Sequence, residues 1–233
     1  MYVYGKNVAT DLIKNNKKIY KAIIWENFKD EFIISELQKL NIPIKYCTKR
    51  QIDDIAKGNH QGIILNIPDY EFVDLDDLQP KNDDYPFIVM LDHLEDPHNF
   101  GAIIRTCESA GVDGIIIPKD RSVDINSTVM KTSAGTLDRV KICMVTNLSN
   151  TIEILKKRGY WIIGTDLEGT DYSTIDYKMP VCLIVGNEGK GMSRIVKEKC
   201  DFMATIPMKG EVNSLNASVA TGIMIYEILE KRK

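Results

Sequence analysis

The sequence predicts an α/β protein in which a small α/β domain precedes a larger domain built on a parallel sheet. Three observations lead to this prediction. Short apolar runs rich in β-branched residues alternate with amphipathic helical patterns along the chain. Several of these runs are apolar at every position, as in strands that helices cover on both faces. A short acidic stretch containing proline separates two parts of the 233-residue chain.

The smaller domain is expected to span residues 1–70. Its strand-like segments are "KAIIWE", "IPIKYCT" and "GIILNI", and they alternate with the helical segments "VATDLIKNN" and "DEFIISELQKL". This part carries 11 Lys and Arg against 8 Asp and Glu, so it is mildly basic although the whole chain has a net charge of −3. A nucleic acid therefore stays among the candidate partners.

The segment 71–84, "EFVDLDDLQPKNDD", is predicted to be an acidic linker, because it holds six acidic residues against one lysine. Residues 85–233 then contain six apolar strand-like runs: "FIVML", "GIIIP", "VKICMV", "YWIIGTD", "VCLIVG" and "FMATIP". The intervening helical stretches "GAIIRTCESAG" and "NTIEILKKRG" each end in a glycine suited to a helix C-terminus. Parallel sheets bind ligands at the carboxyl ends of their strands, so the residues after each strand are the candidates for function.

The first such strand end is "LDHLEDPHNFGAIIRTCESAG", residues 91–111. We expect Asn99 to cap the following helix and Gly101 to let a partner approach the backbone closely. Arg105 is flanked by apolar positions of this helix. Arg105 either forms an ion pair with Glu108 on the solvent-exposed surface or has a functional role.

The second strand end is "LIVGNEGKGMS", residues 183–193. Its glycines have neither the GxGxxG spacing of dinucleotide sites nor the GxxxxGK[ST] pattern of a phosphate-binding loop. Glu188 would repel a phosphate at a helix N-terminus, so a neutral or cationic ligand is favoured here.

The third strand end is "IPMKGEVNSLNAS", which places Asn213, Ser214, Asn216 and Ser218 just before an apolar helix. These side chains are either redundant helix caps or part of a ligand site.

Other sites are disfavoured. The five cysteines form no CxxC pair and the histidines do not lie at zinc-ligand spacing, so no metal is expected. No Ser-His-Asp arrangement or catalytic carboxylate pair is suggested, which favours chemistry carried by a cofactor. No apolar run reaches the roughly 18 residues of a membrane span and no signal peptide is visible, so a cytoplasmic protein is expected.

These three segments, in this order, closely resemble the signature motifs of the SpoU (TrmH-like) RNA ribose 2′-O-methyltransferases of the SPOUT superfamily. The segments are "NFGAIIRTCESAG", "LIVGNEGKGM" and "IPMKGEVNSLNASVATGI", and the resemblance covers essentially all of residues 85–233. More loosely, "YGKNVATDLI" and "HQGIIL" resemble the ribosomal-protein-like RNA-binding domain of the RlmB branch.

The resemblance implies a deep trefoil knot, S-adenosylmethionine as methyl donor, and a homodimer whose active sites combine residues of both chains. It implies catalytic roles for Arg105, Asn99, Glu188, Ser214 and Asn216, and cofactor binding by Gly186, Asn187, Gly189, Ile206, Met208 and Leu215. The substrate implied is RNA, with a guanosine of large-subunit (23S) ribosomal RNA favoured over transfer RNA. In the N-terminal part, phosphate contacts are expected from Lys14, Lys17, Lys18 and Lys21, unless these lysines form only a solvated surface.

Two other classes remain as alternatives. A non-catalytic RNA-binding assembly factor would not need Arg105, Glu188 and Asn216. A nucleotide-dependent oxidoreductase would be expected to carry the GxGxxG spacing and an acidic ribose partner, neither of which is found.

Overall fold

In the computed structural model, which describes residues 1–80, 85–211 and 214–233, the chain forms two compact units. The first comprises Met1–Glu71 together with Ile125–Lys131, and the second comprises Phe72–Asp124 together with Thr132–Lys233. Asn213 of the predicted polar cluster and residues 81–84 of the predicted linker lie outside the described residues.

The first unit contains a four-stranded mixed sheet with the strand order β1-β4-β2-β3. Its strands are β1 (Tyr2–Tyr4), β2 (Lys21–Trp25), β3 (Ile44–Cys47) and β4 (Ile63–Asn66). Its helices are α1 (Lys6–Lys14), α2 (Glu31–Lys39) and α3 (Lys49–Ile55). Strand β4 is antiparallel to β1 and β2, whereas β2 and β3 are parallel. The three predicted strands and two predicted helices are present, but β1 and α3 were not predicted.

Alternate residues of β2 point to two different cores, one on each face of this sheet. Ala22 and Ile24 belong to the larger core, which also contains the buried residues of α1 and α2. Ile23 packs instead with Ile52 of α3 and with Ile64. Helices therefore cover both faces, but α3 is short and covers only part of its face.

The second unit contains a six-stranded sheet with the order β10-β8-β9-β5-β6-β7, in which all neighbouring strands are parallel. The strands are β5 (Phe87–Asp92), β6 (Gly114–Pro118), β7 (Ile142–Val145), β8 (Trp161–Asp171), β9 (Val181–Gly186) and β10 (Phe202–Thr205). The helices are α4 (Pro97–Ser109), α5 (Ser127–Thr132), α6 (Leu148–Lys157), α7 (Arg194–Lys197) and α8 (Ala217–Lys231). Within α5, residues 127–131 group with the first unit and Thr132 with the second.

The predicted α/β class and parallel sheet are thus confirmed. Every residue of β5 and β6 is buried, as expected for central strands with both faces covered. On one face, Ile88 and Met90 pack with buried residues of α6. Helix α8 packs against β9 and also against α4. The trefoil knot stays a prediction.

From Phe72 onward, the described part of the predicted linker packs as part of the second unit. Val73 pairs with Cys143 as an extra parallel bridge at the edge of the sheet, and Leu78 is buried in the core. Asp76 forms an ion pair with Arg158.

The start of α4 differs from the prediction. Asp96, not Asn99, caps this helix, and its Oδ1 accepts a hydrogen bond from the Asn99 N–H at 2.7 Å. Pro97 occupies the first helical position, which its fixed φ favours, so the helix begins earlier than expected. Asn99 therefore lies inside the first turn and its side-chain amide is free for other contacts.

The predicted helix-ending glycines are confirmed, because Gly111 and Gly159 follow α4 and α6 with φ of +70° and +88°. The partner that approaches Gly101 is the chain itself. A Cβ there would lie 1.8 Å from the Thr132 hydroxyl oxygen. Within the described residues, no helix combines the length and the hydropathy needed to cross a membrane.

Candidate active site

The second half of β8, the loop after β9 and the segment after β10 surround a cavity of about 340 Å³ at the carboxyl edge of the parallel sheet. This volume lies within the range of about 300–1,000 Å³ that small-molecule sites occupy. All six predicted cofactor-binding residues line it, together with Glu188 and Ser214 of the predicted catalytic set: Gly186, Asn187, Glu188, Gly189, Ile206, Met208, Ser214 and Leu215. Asn99, Arg105 and Asn216 do not line it.

Asn99, Glu188 and Asn216 are nevertheless joined in one hydrogen-bonded line. The Asn216 Nδ2 donates to the Asn99 Oδ1 at 2.9 Å, and the Asn99 Nδ2 donates to the Glu188 Oε1 at 3.0 Å. These bonds span 117 and 89 positions in the sequence, so the fold alone brings the three residues together. Each motif contributes one member to the line.

Asn216 is oriented by its second role as the cap of α8. Its Oδ1 accepts hydrogen bonds from the backbone N–H groups of Ser218 at 2.9 Å and Val219 at 3.3 Å. Because the oxygen faces the helix, the amide nitrogen is left to donate to Asn99. Capping and site assembly are therefore two functions of one side chain, and the two interpretations of the polar cluster are compatible.

The loop after β9 is shaped by Gly186 and Asn187. A Cβ on Gly186 would lie 2.3 Å from the Met192 backbone nitrogen, so only glycine fits there. The Asn187 Oδ1 accepts from the N–H groups of Gly189 at 3.0 Å and Lys190 at 3.1 Å. The Asn187 side chain thus holds the loop, although it was predicted to bind the cofactor.

Asp92 and His93 connect this loop to the end of β5, and sequence reasoning missed them. Asp92 is only 1% exposed. Its Oδ2 accepts from the Ser193 N–H at 2.6 Å, and its Oδ1 lies 2.5 Å from the His93 Nδ1. The His93 carbonyl accepts from the Asn187 Nδ2 at 2.8 Å. The signal in the sequence that could have identified Asp92 was an acidic residue at the end of a wholly apolar strand, where a carboxylate is expected to be buried and to need partners.

The residues after Gly164 in β8 form another wall of the cavity that was not predicted, consisting of Thr165, Asp166 and Leu167. Asp166 forms an ion pair with Lys197 of α7, which also lines the cavity. Burial of the Asp166 carboxyl opposes its charge. The hydrogen bonds from Lys197 and from the Leu167 backbone outweigh this effect, so the pKa of Asp166 is lowered. The signal was available, because these residues come directly after the apolar part of a parallel strand.

Arg105 is not brought to the line of Asn99, Glu188 and Asn216. It is exposed on α4, and its position is roughly 120° around the helix from that of Asn99. Arg105 does not form the possible ion pair with Glu108. Instead, the Glu108 Oε1 lies 3.5 Å from the Arg139 Nη1. Among the ion pairs of the described residues, none includes Arg105.

The cysteines and acidic groups give no metal centre in the part of the chain that the structure describes. None of the five cysteines, all of which lie in the described residues, forms a disulfide bond, and four of them are buried. Burial raises the pKa of the Cys143 thiol to about 11, which disfavours the reactive thiolate.

Two family models match the chain in the same order as its two units. The model described as the SpoU rRNA methylase family matches residues 86–226. The model described as RNA 2′-O ribose methyltransferase substrate binding matches residues 2–73. A Bacillus subtilis protein, YacO, whose name assigns it to the TrmH family of tRNA/rRNA methyltransferases, is 44% identical over 99% of this chain and 96% of its own length.

Solved structures give a consistent result. An S-adenosylmethionine-bound rRNA methyltransferase from Sinorhizobium meliloti is 28% identical and superimposes with a TM-score of 0.74, covering 98% of this chain and 86% of its own. The A. aeolicus TrmH/SpoU tRNA modifying enzyme is 36% identical with a TM-score of 0.59, covering 66% of this chain and 78% of its own. The chain therefore belongs to the SpoU rRNA methylase family and is an RNA methyltransferase.

Proposed function

We propose that this chain transfers a methyl group from S-adenosylmethionine to a ribose 2′-hydroxyl of RNA, and that the target is a guanosine of large-subunit ribosomal RNA. The observation that carries the proposal is the hydrogen-bonded line Asn216–Asn99–Glu188 beside the glycine-loop cavity. It joins one residue from each of the three motifs that resemble those of ribose methyltransferases.

The residues around the cavity fit this donor. Ile206 and Leu215 offer an apolar wall for adenine, while Glu188 offers a carboxylate to a cationic group. Gly186, Asn187, Gly189 and Met208 would complete the binding site. When bound, the donor supplies a methyl group already activated by its positive sulfur.

The protein must then position the ribose hydroxyl and stabilise its oxygen while the O–H bond breaks and the O–CH₃ bond replaces the S–CH₃ bond. The proton would pass to solvent and the donor would leave as a neutral thioether. Alignment of two reactants is worth roughly 7–11 kcal/mol in favourable cases. The Arg105 guanidinium donates hydrogen bonds and does not accept them, so we assign it electrostatic stabilisation of the oxygen and a contact to the adjacent phosphate. Ser214 and the Asn216–Asn99–Glu188 line would hold the ribose and the donor in place.

A homodimer accounts for the position of Arg105 outside its own chain's cavity. Helix α8 is apolar around most of its circumference, and Val219 and Tyr226, seven positions apart on one face, are 50% and 53% exposed. Such a stripe favours a contact with a second copy, and α8 packs beside α4, which carries Arg105. In this assembly Arg105 would act on the active site of the partner subunit.

Ribosomal RNA is favoured over transfer RNA by the extent of the similarities. The Sinorhizobium rRNA methyltransferase covers 98% of this chain, whereas the A. aeolicus tRNA modifying enzyme covers 66%. A ribose methyltransferase of transfer RNA remains the second candidate, because the name of the Bacillus relative includes both RNA classes.

The test is methyl transfer from radiolabelled S-adenosylmethionine to separated ribosomal and transfer RNA. The label should enter large-subunit RNA and protect one phosphodiester bond from alkali, since a 2′-O-methyl group blocks that cleavage. Label in transfer RNA alone would support the second candidate. RNA binding without any methyl transfer would refute the proposal.

Arginine variants sharpen this test. Arg105→Ala should lower kcat about 100-fold or more, as loss of a transition-state donor does. Arg139→Ala, which removes the exposed partner of Glu108, is the matched control and should retain activity. If Arg105→Lys is as active as wild type, the planar group has no special role.

A further inference from the structure

We propose that the first unit binds single-stranded RNA on an open sheet face formed by Tyr2, Asn66, Lys21 and Lys45, which we call the open face. The proposal rests on the RNA methyltransferase function described above and names the surface that would receive the substrate.

Strand pairing places three of these residues in one row. Tyr2 is paired with Asn66 across β1 and β4, and Asn66 is paired with Lys21 across β4 and β2. Directly paired residues of antiparallel strands have side chains on the same face, about 5 Å apart. An aromatic ring, an amide and an ammonium group therefore stand side by side. The next row, which includes Ile64 and Ile23, ends with Lys45 on β3.

Helix α3 covers only the other half of this face. Its buried residue Ile52 packs with Ile23, Ile64 and Cys47, at the end where β2 and β3 finish. The row of Tyr2 lies two residues away from Ile64 and Ile23, at the opposite end. Tyr2 is 53% exposed there, so its ring is available to a ligand.

The charges at this end favour a polyanion. No ion pair involving Lys21 or Lys45 is found among the described residues, so both ammonium groups are available to phosphates. The nearby Asp69 carboxylate is neutralised by the N-terminal ammonium of Met1 at 2.6 Å. Lys18, in the predicted basic run, holds its ammonium 5.1 Å from the centre of the exposed Tyr20 ring.

This combination is suited to single-stranded RNA more than to a duplex. A base that is not paired can stack on an exposed tyrosine, and such stacking is sequence-tolerant. The Asn66 amide offers both a donor and an acceptor to the edge of a base. In a duplex the bases are already stacked, and only the lysine contacts would remain.

The experiment measures the affinity of the full-length protein for a fluorescent single-stranded oligoribonucleotide and, separately, methyl transfer to its RNA substrate. Tyr2→Ala should weaken oligonucleotide binding about 5- to 50-fold, whereas Tyr2→Phe should retain it because the ring is kept. Lys21→Ala should weaken binding and reduce the dependence of log Kd on log salt concentration by about one phosphate contact. The KM for RNA should rise in both variants, with kcat at saturating RNA and donor affinity unchanged.

Two control variants match these changes. Tyr46 is also 53% exposed, but it pairs with Ile24, which belongs to the core on the opposite face. Lys39 lies on α2, on that same opposite face, and is paired with Glu36. Tyr46→Ala and Lys39→Ala should therefore bind RNA like wild type.

Equal affinities of Tyr2→Ala and Tyr46→Ala for the single strand would overturn the proposal. So would a Tyr2→Ala variant whose affinity for a double-stranded oligoribonucleotide falls as much as its affinity for the single strand. These failures differ from failure of the proposed function, in which wild type would transfer no methyl group to any RNA. Thermal unfolding of each variant shows whether weaker binding comes from a loss of stability. Tyr2→Phe and Lys21→Ala disturb the fold less than Tyr2→Ala and keep the test valid if that variant unfolds.

Discussion

Asn99 shows at the scale of one residue how the fold assigns roles that a local pattern cannot. The sequence predicted that this side chain would cap α4, but Asp96 takes the cap and Pro97 fixes the first turn. The Asn99 amide is then used at both ends, accepting from Asn216 and donating to Glu188. Only an amide provides a donor and an acceptor in this shape, which explains the residue type.

The substitution Asn99→Asp tests this assignment. It would place a second carboxylate against that of Glu188 and remove the donor between them, so repulsion should displace Glu188. We expect activity to fall about 10- to 100-fold at pH 8 and to recover partly toward pH 6, because a proton on the introduced carboxyl group restores the hydrogen bond to Glu188.

The measurement is the pH–rate profile of methyl transfer for wild type, Asn99→Asp and Asn99→Ala. Asn99→Ala has no carboxylate to protonate, so its loss should be independent of pH relative to wild type. If the pH–rate profile of Asn99→Asp ran parallel to that of wild type, Asn99 would not act through Glu188.

At the scale of elements, the loop after β9 is held from the end of β5, the neighbouring strand in the sheet. Two hydrogen bonds connect them, from the Ser193 N–H to Asp92 and from the Asn187 amide to the His93 carbonyl. A third bond, from the Asn99 amide of α4 to Glu188, holds the same loop. His93 adopts φ of +61°, an uncommon conformation for a residue other than glycine. The cavity wall is thus fixed by contacts distant in sequence, and the glycine pattern alone could not reveal them.

The two glycines of this loop that were predicted to bind the cofactor should respond differently to alanine. A Cβ at Gly186 meets the Met192 and Gly191 backbones at 2.3 and 2.4 Å, so the loop must move. A Cβ at Gly189 meets only the Asn187 Oδ1 at 3.7 Å, an ordinary contact. We expect Gly186→Ala to weaken binding of S-adenosylmethionine at least about 10-fold and Gly189→Ala to change it less than about 3-fold.

Calorimetric titration with the donor measures both variants, and thermal unfolding reports any general loss of stability. If the two variants bound S-adenosylmethionine with similar affinity, the close backbone contacts of Gly186 would not control donor binding.

The elements that the sequence predicted are those with strong apolar patterns. All six strands of the parallel sheet were found because each contains an apolar run, and β5, β6 and β9 are almost wholly buried. Strand β1 was missed because it has only 3 residues and one buried side chain, Val3. Helix α3 was missed because it buries only Ile52 and is stabilised by the Thr48–Gln51 capping box, a signal that was present but weak. Part of the stability of α3 therefore comes from the packing of Ile52 against the sheet, which the local sequence pattern does not show.

At the scale of the whole molecule, the position of Arg105 decides how many chains an active site requires. In one chain, Asn99, Glu188 and Asn216 are joined while Arg105 is exposed on another side of α4. If the homodimer supplies Arg105 in trans, then two inactive variants can complement each other. A chain carrying Arg105→Ala still offers an intact cavity, and a chain carrying Glu188→Gln still offers Arg105.

Mixing these two variants after subunit exchange therefore gives the last prediction. Random pairing makes half of the dimers heterodimers, and each heterodimer has one site with both wild-type groups, so activity should reach about a quarter of wild type. Methyl transfer after mixing is the measurement, and exchange is verified with differently tagged wild-type chains. Mixing two preparations of Arg105→Ala is the control and should restore nothing. If chains exchange but the mixed variants stay inactive, Arg105 acts within its own chain, and α4 must bring it toward Glu188 when RNA binds.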